Sequence, residues 1–460
     1  MQKDQRGLAM TTDSGQAAQH FSTAIDRYFE YRLDTMQHVK AALAADPDFV
    51  MGHCLRGYLF MLFGTTTVYD KVREALAFCE PRAASVTPRE ALHIRALRAW
   101  LEGDLVRAVA LWDEILFDSP HDLLALRLQH FTLFWMGNNF ALRNGVAKVF
   151  DAWEPGLPGY GNVLGMLAFG QEECGDYEQA ERHGRAAVEA NPEDLWAIHA
   201  VAHVLEMQGR MGEGLHWLDY PADCWEDRNP FRGHLWWHRA LFAHERGDYD
   251  QALDLYDRSI RSERSDFYLD IQNAAALLLR LEFQGVGVGD RWAELADHAE
   301  THIDDHALAF TDLHCMMSLA REGRREAAER YLASLRTYAE EPDNYEAATM
   351  APLTIPLCEA LLAYADRAYD RAVEILLPLR DRLSPVGGSH AQRDVFVQLL
   401  LESAIRAGRL ALARALLSER ITVRPASHGN WVKYGAVMES LGDRDAAEAA
   451  RTRAAEIAQS

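Results

Sequence analysis

The sequence predicts an all-α solenoid of stacked helix-turn-helix repeats, and two observations carry that expectation. One short string recurs: Gly, often Asp, a spacer, then Ala five residues after the Gly. It appears at Gly103…Ala108, Gly175…Ala180, Gly247…Ala252, Gly323…Ala328, Gly408…Ala413 and Gly442…Ala447. The first three alanines lie 72 residues apart, about two hairpins, and the last two lie 34 apart. Composition agrees. Only 30 Gly and 15 Pro punctuate 460 residues, and Ala, Leu, Glu and Arg are plentiful.

Each position of the string has a physical role. Gly ends the first helix in a left-handed cap, Asp caps the next helix, and Ala lets the two helices approach closely. A small residue stands twelve before the Ala in several copies: Ala96, Ala168, Ala240, Ala360 and Gly435. A large one stands four after it, as Trp112, Tyr256 and Leu376. Pro120 and Pro192 stand twelve after it and break the unit.

Residues 1–17 are expected as a mobile tail, and 18–460 as one continuous solenoid. Three segments interrupt the period and are expected as inserted loops: 219–233, 338–356 and 383–391. Long loops in a compact array often act as lids over a site.

Hydrophobic residues at 49% and charged residues at 25% exclude a disordered, collagenous or disulfide-framework chain. Lys plus Arg is 47 against 69 Asp plus Glu, a formal charge of −22. That charge opposes phosphate backbones and anionic lipid, so neither a nucleic-acid nor a membrane partner is expected. No stretch reaches eighteen uncharged apolar residues, and no apolar core follows Met1–Arg6 as in a secretory signal. Cys54, Cys79, Cys174, Cys224, Cys315 and Cys358 are scattered without a C-x-x-C pair, which reads as reduced thiols in a cytoplasm.

The chain has 19 histidines, and two pairs sit at helical spacing: His199 with His203, and His234 with His238. Residues four apart stack on one helix face, about 5–6 Å between Cβ atoms, so such a pair can share one metal. Asp312 and His314 are further candidate ligands from a later first helix, and His53 opens an earlier one. Trp196 and Trp237 join the same faces. Asp270, Gln272 and Asn273 form a polar string, as do Ser389, His390, Gln392, Arg393 and Asp394. From these, Glu206 or Asp270 is the candidate general base, Arg393 the candidate carboxylate donor, and Asn273 and Gln392 candidate ligand contacts. Ser389 can also cap the helix that follows. A third run, His298, His302 and His306, falls on a second helix and is expected on a solvated acidic face.

Several familiar motifs are absent. There is no H-E-x-x-H, no G-x-x-x-x-G-K-[ST] and no G-x-S-x-G. Gly285-Val-Gly287-Val-Gly289 has the glycines of a dinucleotide turn but no strand before it.

The hairpin pattern is similar to the tetratricopeptide repeat, and Trp431, Tyr434-Gly435 and Ala447 make its nearest copy. That resemblance implies a right-handed solenoid. It also implies that Trp196, His199, His203, His234 and Trp237 line the concave groove. Four strings together resemble one group, the tetratricopeptide repeat protein 38 family. They are His53-Cys-Leu-Arg-Gly-Tyr, His199-Ala-Val-Ala-His203-Val-Leu-Glu-Met-Gln-Gly209-Arg, His234-Leu-Trp-Trp-His238 and Gly388-Ser-His-Ala-Gln-Arg-Asp394. This implies an all-helical fold from about residue 50 to 440 and no particular reaction.

Two functions follow as expectations. The first is a binding module whose His- and Trp-lined groove takes a small molecule or peptide. The second is an enzyme in which His199, His203, His234 and His238, with Asp312 or His314, hold a divalent metal.

Overall fold

The computed structural model describes residues 1–221 and 223–459. Helices run as consecutive pairs across short turns, beginning with Gly15–Phe29 and Thr35–Ala45, then Val50–Met61 and Tyr69–Cys79, then Pro88–Leu101 and Leu105–Asp118. The succession ends with His428–Ser440 and Arg444–Gln459. The protein is an all-α helical-repeat fold.

The repeat string does at each turn what its residues dictate. Gly103 and Gly247 have φ of 78° and 86°, and the next residues, Asp104 and Asp248, accept from the N–H groups of Arg107 and Gln251. Asp176 departs from the pattern and pairs with Arg143 at 3.1 Å instead of capping its helix. Ala108, Ala180, Ala252, Ala328, Ala413 and Ala447 are all fully buried, as are Ala96, Ala168, Ala240 and Ala360 opposite. A larger side chain at these positions would force the paired helices apart.

First helices in the middle of the chain are buried on nearly every side. Leu195–Met207 is buried continuously from Leu195 to Glu206, and Tyr268–Phe283 from Tyr268 to Leu281. A helix apolar all round needs cover on both faces. The second cover is the chain's own C-terminal part: His390–Arg406 packs across both helices. Buried Arg280 ties this layer down by donating to the Ala391 carbonyl at 2.7 Å. The concave surface is thus partly filled from within, and a cavity remains beside the filling helix.

Residues 1–17 are not a free tail. Gln2–Lys3 pairs antiparallel with Ala9–Met10, Met10 is fully buried, and the Thr11 hydroxyl donates to buried Glu90 at 2.6 Å. The expected loop 338–356 is largely helical: Tyr345–Thr349 continues through a π-helical turn, Met350–Thr354, into Ile355–Ala365. Pro352 and Pro356 lack N–H donors, so the ladder widens to a π turn instead of breaking. Tyr345–Ala365 is long and apolar enough by length and composition to cross a membrane, and 72% of its apolar window is buried inside the fold. Segment 383–391 is a short turn, Ser384–Val386, followed by the helix from His390. There Ser389 and Gln392 cap each other reciprocally, which accounts for that polar string. Gly137 makes this turn's seat: a Cβ on it would lie 1.9 Å from the Ser384 carbonyl oxygen. The expected loop 219–233 ends earlier, since Phe231 already begins the helix Phe231–Arg246; Asn229 and Pro230 before it face the cavity, and Ala222 lies outside the described residues.

Candidate functional site

Asp194 starts the helix Leu195–Met207 by accepting from the N–H groups of Trp196 and Ala197. That start sets His199 and His203 one turn apart on the inner face. The neighbouring helix Phe231–Arg246 carries His234 and His238 at the same spacing. The four imidazoles converge. His199 Nε2 and His203 Nε2 are 2.9 Å apart, and ring centroids lie 4.9 Å apart for His199–His234 and 4.4 Å for His203–His238. One ligating nitrogen from each of the four lies within 4.8 Å of all the others.

Two of these rings are oriented from behind by hydrogen bonds, and a third faces a carboxylate. His238 Nδ1 donates to Glu206 Oε2 at 3.0 Å, and His234 Nδ1 donates to Asn273 Oδ1 at 2.8 Å. His203 Nδ1 stands 3.5 Å from Glu172 Oε2. This is the outer-partner pattern that fixes ring tautomers in metal sites. His238 Nε2 has no hydrogen-bond partner among the described residues. A buried polar atom left so costs about 1–3 kcal/mol. Burial holds His199, His234 and His238 well below the ordinary imidazole pKa, keeping their ligating lone pairs free. Burial lowers His203 too, but the Glu172, Glu206 and Glu173 carboxylates together outweigh it and the net shift is upward. Glu172, Glu173 and His203 form a second buried group whose atoms also lie within 4.8 Å of one another.

The cluster forms part of the floor of a cavity of about 670 Å³, into which His199 and His234 project. Aromatic rings form a large part of the walls, among them Phe131, Phe134, Trp135, Trp196, Phe231 and Phe267. Residues far apart in sequence close it. Tyr31 stacks on Phe231, the Asn229 N–H donates to the Tyr31 carbonyl at 2.7 Å, and the Thr66 N–H donates to Asp305 Oδ1 at 2.7 Å.

Several expected site residues lie elsewhere or act differently. Glu206 is engaged by His238 and lies 3.7 Å from Arg424, so it orients a ring and is not a free base. Asp270 is buried beside the Gly233 backbone outside the cavity wall, and burial raises its pKa to about 6. Arg393 donates to the Gly388 carbonyl and faces Glu173 at 3.8 Å, so its charge is used within the fold. His53 stacks on Phe78 and bonds the Pro47 carbonyl at 2.9 Å. Asp312 pairs with His306 and Tyr331, and His314 Nδ1 donates to the Phe310 carbonyl, so neither joins the four histidines. Trp237 stacks on His234 from behind, while Trp196 and Gln392 line the cavity. His298 and His302 are not on a solvated acidic face. Their rings stack at 4.0 Å and both line the cavity, and His306 is buried against Asp312.

Sequence reasoning missed Arg127, Tyr28 and Tyr31, which also line the cavity. Arg127 did carry a signal: it is the one charged residue in the apolar helix Leu123–Trp135.

No family model matches the chain. Among solved structures it is similar to a human IFIT1 dimer with PPP-AAAA, at 13% identity and a TM-score of 0.40, covering 98% of this chain and 96% of that one. A human IFIT1 dimer with m7Gppp-AAAA is similar at 12% identity and 0.38, covering 98% and 92%. The P58(IPK) TPR domain is similar at 12% identity and 0.22, covering 80% and 93%. The expectation that nucleic acid is excluded, drawn from net charge, is corrected here. The IFIT1 structures that align along nearly the whole chain hold PPP-AAAA and m7Gppp-AAAA, so that exclusion does not stand.

Proposed function

We propose that this helical-repeat protein binds a small molecule in its central cavity, beside a divalent transition metal held by His199, His203, His234 and His238. The observation that carries the reading is the convergence of four buried imidazoles, two of them hydrogen-bonded to outer partners, with His199 and His234 reaching the cavity. An all-imidazole set suits zinc, copper, nickel or iron, and not calcium or magnesium. A tetrahedral ion with bonds of about 2.0–2.1 Å needs nitrogens about 3.4 Å apart, so the His199–His203 pair would open slightly on binding. When bound, such an ion supplies a Lewis acid for a ligand oxygen or lowers the pKa of a bound water. The chain's own residues do the rest: Glu206, Glu172 and Asn273 orient the rings, and the aromatic walls exclude water.

The cavity's bounded volume of about 670 Å³, edged by the contact of residues 31–33 with 227–229, suits a small molecule. The four quoted strings support placing the chain in the tetratricopeptide repeat protein 38 family. Six free thiols suit a reducing cytoplasm.

Elemental analysis of the purified protein tests the metal. About one equivalent of a transition metal is expected, and the double variant His199→Ala, His203→Ala should lose it while keeping its helical circular dichroism. A metal-free protein that also takes up none of zinc, copper, nickel or iron on dialysis would overturn the reading of the histidines.

A further inference from the structure

Arg127 is a buried cation without a carboxylate. It is 3% exposed, lines the cavity, and among the described residues no carboxylate oxygen is paired with it within 4.0 Å. The carboxylate of Asp194, at the start of Leu195–Met207, is occupied by the Trp196 and Ala197 N–H groups and by Asn162. Arg127 instead donates to the Tyr31 hydroxyl, and its guanidinium lies 4.2 Å over the Trp196 ring. Its Nε has no hydrogen-bond partner among the described residues. Among other buried arginines, Arg420 pairs with Asp394 at 2.7 Å and Arg424 with Glu206 at 3.7 Å, while Arg280 spends its guanidinium on the Ala276 and Ala391 carbonyls. A buried guanidinium left unpaired is costly, and the fork of donors it presents matches a planar or tetrahedral oxyanion.

We infer that Arg127, with the Tyr31 hydroxyl beside it, binds the oxyanionic head of the cavity's ligand. The ligand is therefore an amphipathic anion, a carboxylate or a phosphate monoester, whose apolar body lies along Phe131, Trp135, Phe231 and Phe267. Trp196 connects this wall to the histidines, since its ring contacts both Arg127 and His199, the latter at 5.1 Å. The inference deepens the proposed function and rests on the cavity holding a ligand.

The test uses calorimetric titration of the full chain with octanoate, octyl phosphate and octanol, before and after treatment with a chelator. The apolar tail is constant and only the head changes. One of the two anions should bind about tenfold or more tightly than octanol. The preferred anion separates a carboxylate ligand from a phosphate one. The preference should survive the chelator, which separates Arg127 from any bound metal. Arg127→Met should bring all three probes to equal affinity, and Tyr31→Phe should weaken the anions while leaving octanol unchanged. Tyr31→Phe keeps the ring stack, so it serves if Arg127→Met does not fold. Equal binding of the three probes to the unaltered chain, or a preference lost with the metal, would overturn the inference and leave the ligand cavity standing. Binding of none would overturn both.

Discussion

Tyr31 stacks face to face on Phe231, with ring centroids 4.4 Å apart and planes 11° from parallel, although 200 residues separate them. Tyr31 sits at φ 58°, a left-handed conformation that costs a non-glycine residue about 1–3 kcal/mol. The stack and the Asn229 N–H bond to its carbonyl hold it there. One strained residue thus fastens the first hairpin over the cavity.

Tyr31→Ala removes the stack, worth about 0.5–1.5 kcal/mol, and the hydroxyl that Arg127 meets. The roof should loosen. Stopped-flow release of a cavity-bound anionic probe is expected to speed up about tenfold, with a fall of a few degrees in the melting midpoint. An unchanged release rate would show that the roof does not gate the cavity.

Glu206→Gln keeps the shape of the residue behind His238 but removes its charge. Outer partners of this kind typically contribute about 10–100-fold to metal affinity. Competition with a chromogenic zinc chelator should show a loss in that range, with melting nearly unchanged. Equal affinity would mean that Glu206 serves only Arg424.

Gly137→Ala places a methyl group 1.9 Å from the Ser384 carbonyl oxygen at φ 64°. Gly442→Ala meets nothing within 4 Å at φ 85°, so it isolates the backbone strain, about 1–2 kcal/mol. Urea unfolding should find Gly137→Ala clearly the more destabilised of the two. Equal losses would mean that the 384–386 turn moves aside at no cost.

Burial pushes the Glu346 carboxyl up to about 8 from an ordinary 4.5, and its Oε2 accepts from the Ala309 N–H at 3.0 Å. The folded state therefore binds this proton more tightly than the unfolded chain. The stability it contributes is complete below pH 4.5 and is lost as pH rises through about 8. Glu346→Gln keeps an acceptor and removes the titration. Its melting midpoint relative to the parent should rise between pH 4.5 and 8 and then level off. A difference that does not vary with pH would refute the assignment.

The i,i+4 histidine pairs and the repeat turns were legible because both are local. Spacing alone stacks His199 on His203, and Gly103-Asp104 writes its own turn. His298 and His302 were misplaced for a related reason. Register puts a second helix outside the array, but the end of Arg291–Thr301 borders the cavity because the superhelix curls round to it. Asp312 and His314 occupy first-helix positions as expected, yet their partners are His306, Tyr331 and the Phe310 carbonyl.

By itself, then, the sequence determined the helical hairpins, their small-residue contacts and the two histidine ladders, since each depends on residues within one or two turns of one another. The tertiary structure alone decided that the two ladders face each other, that the C-terminal helices fill the concave side, and that Tyr31 and Arg127 close the chamber against Phe231 and Trp196. Those contacts join residues separated by tens to hundreds of positions. Their geometry follows from the accumulated rotation of the stacked hairpins, which no short stretch of sequence encodes.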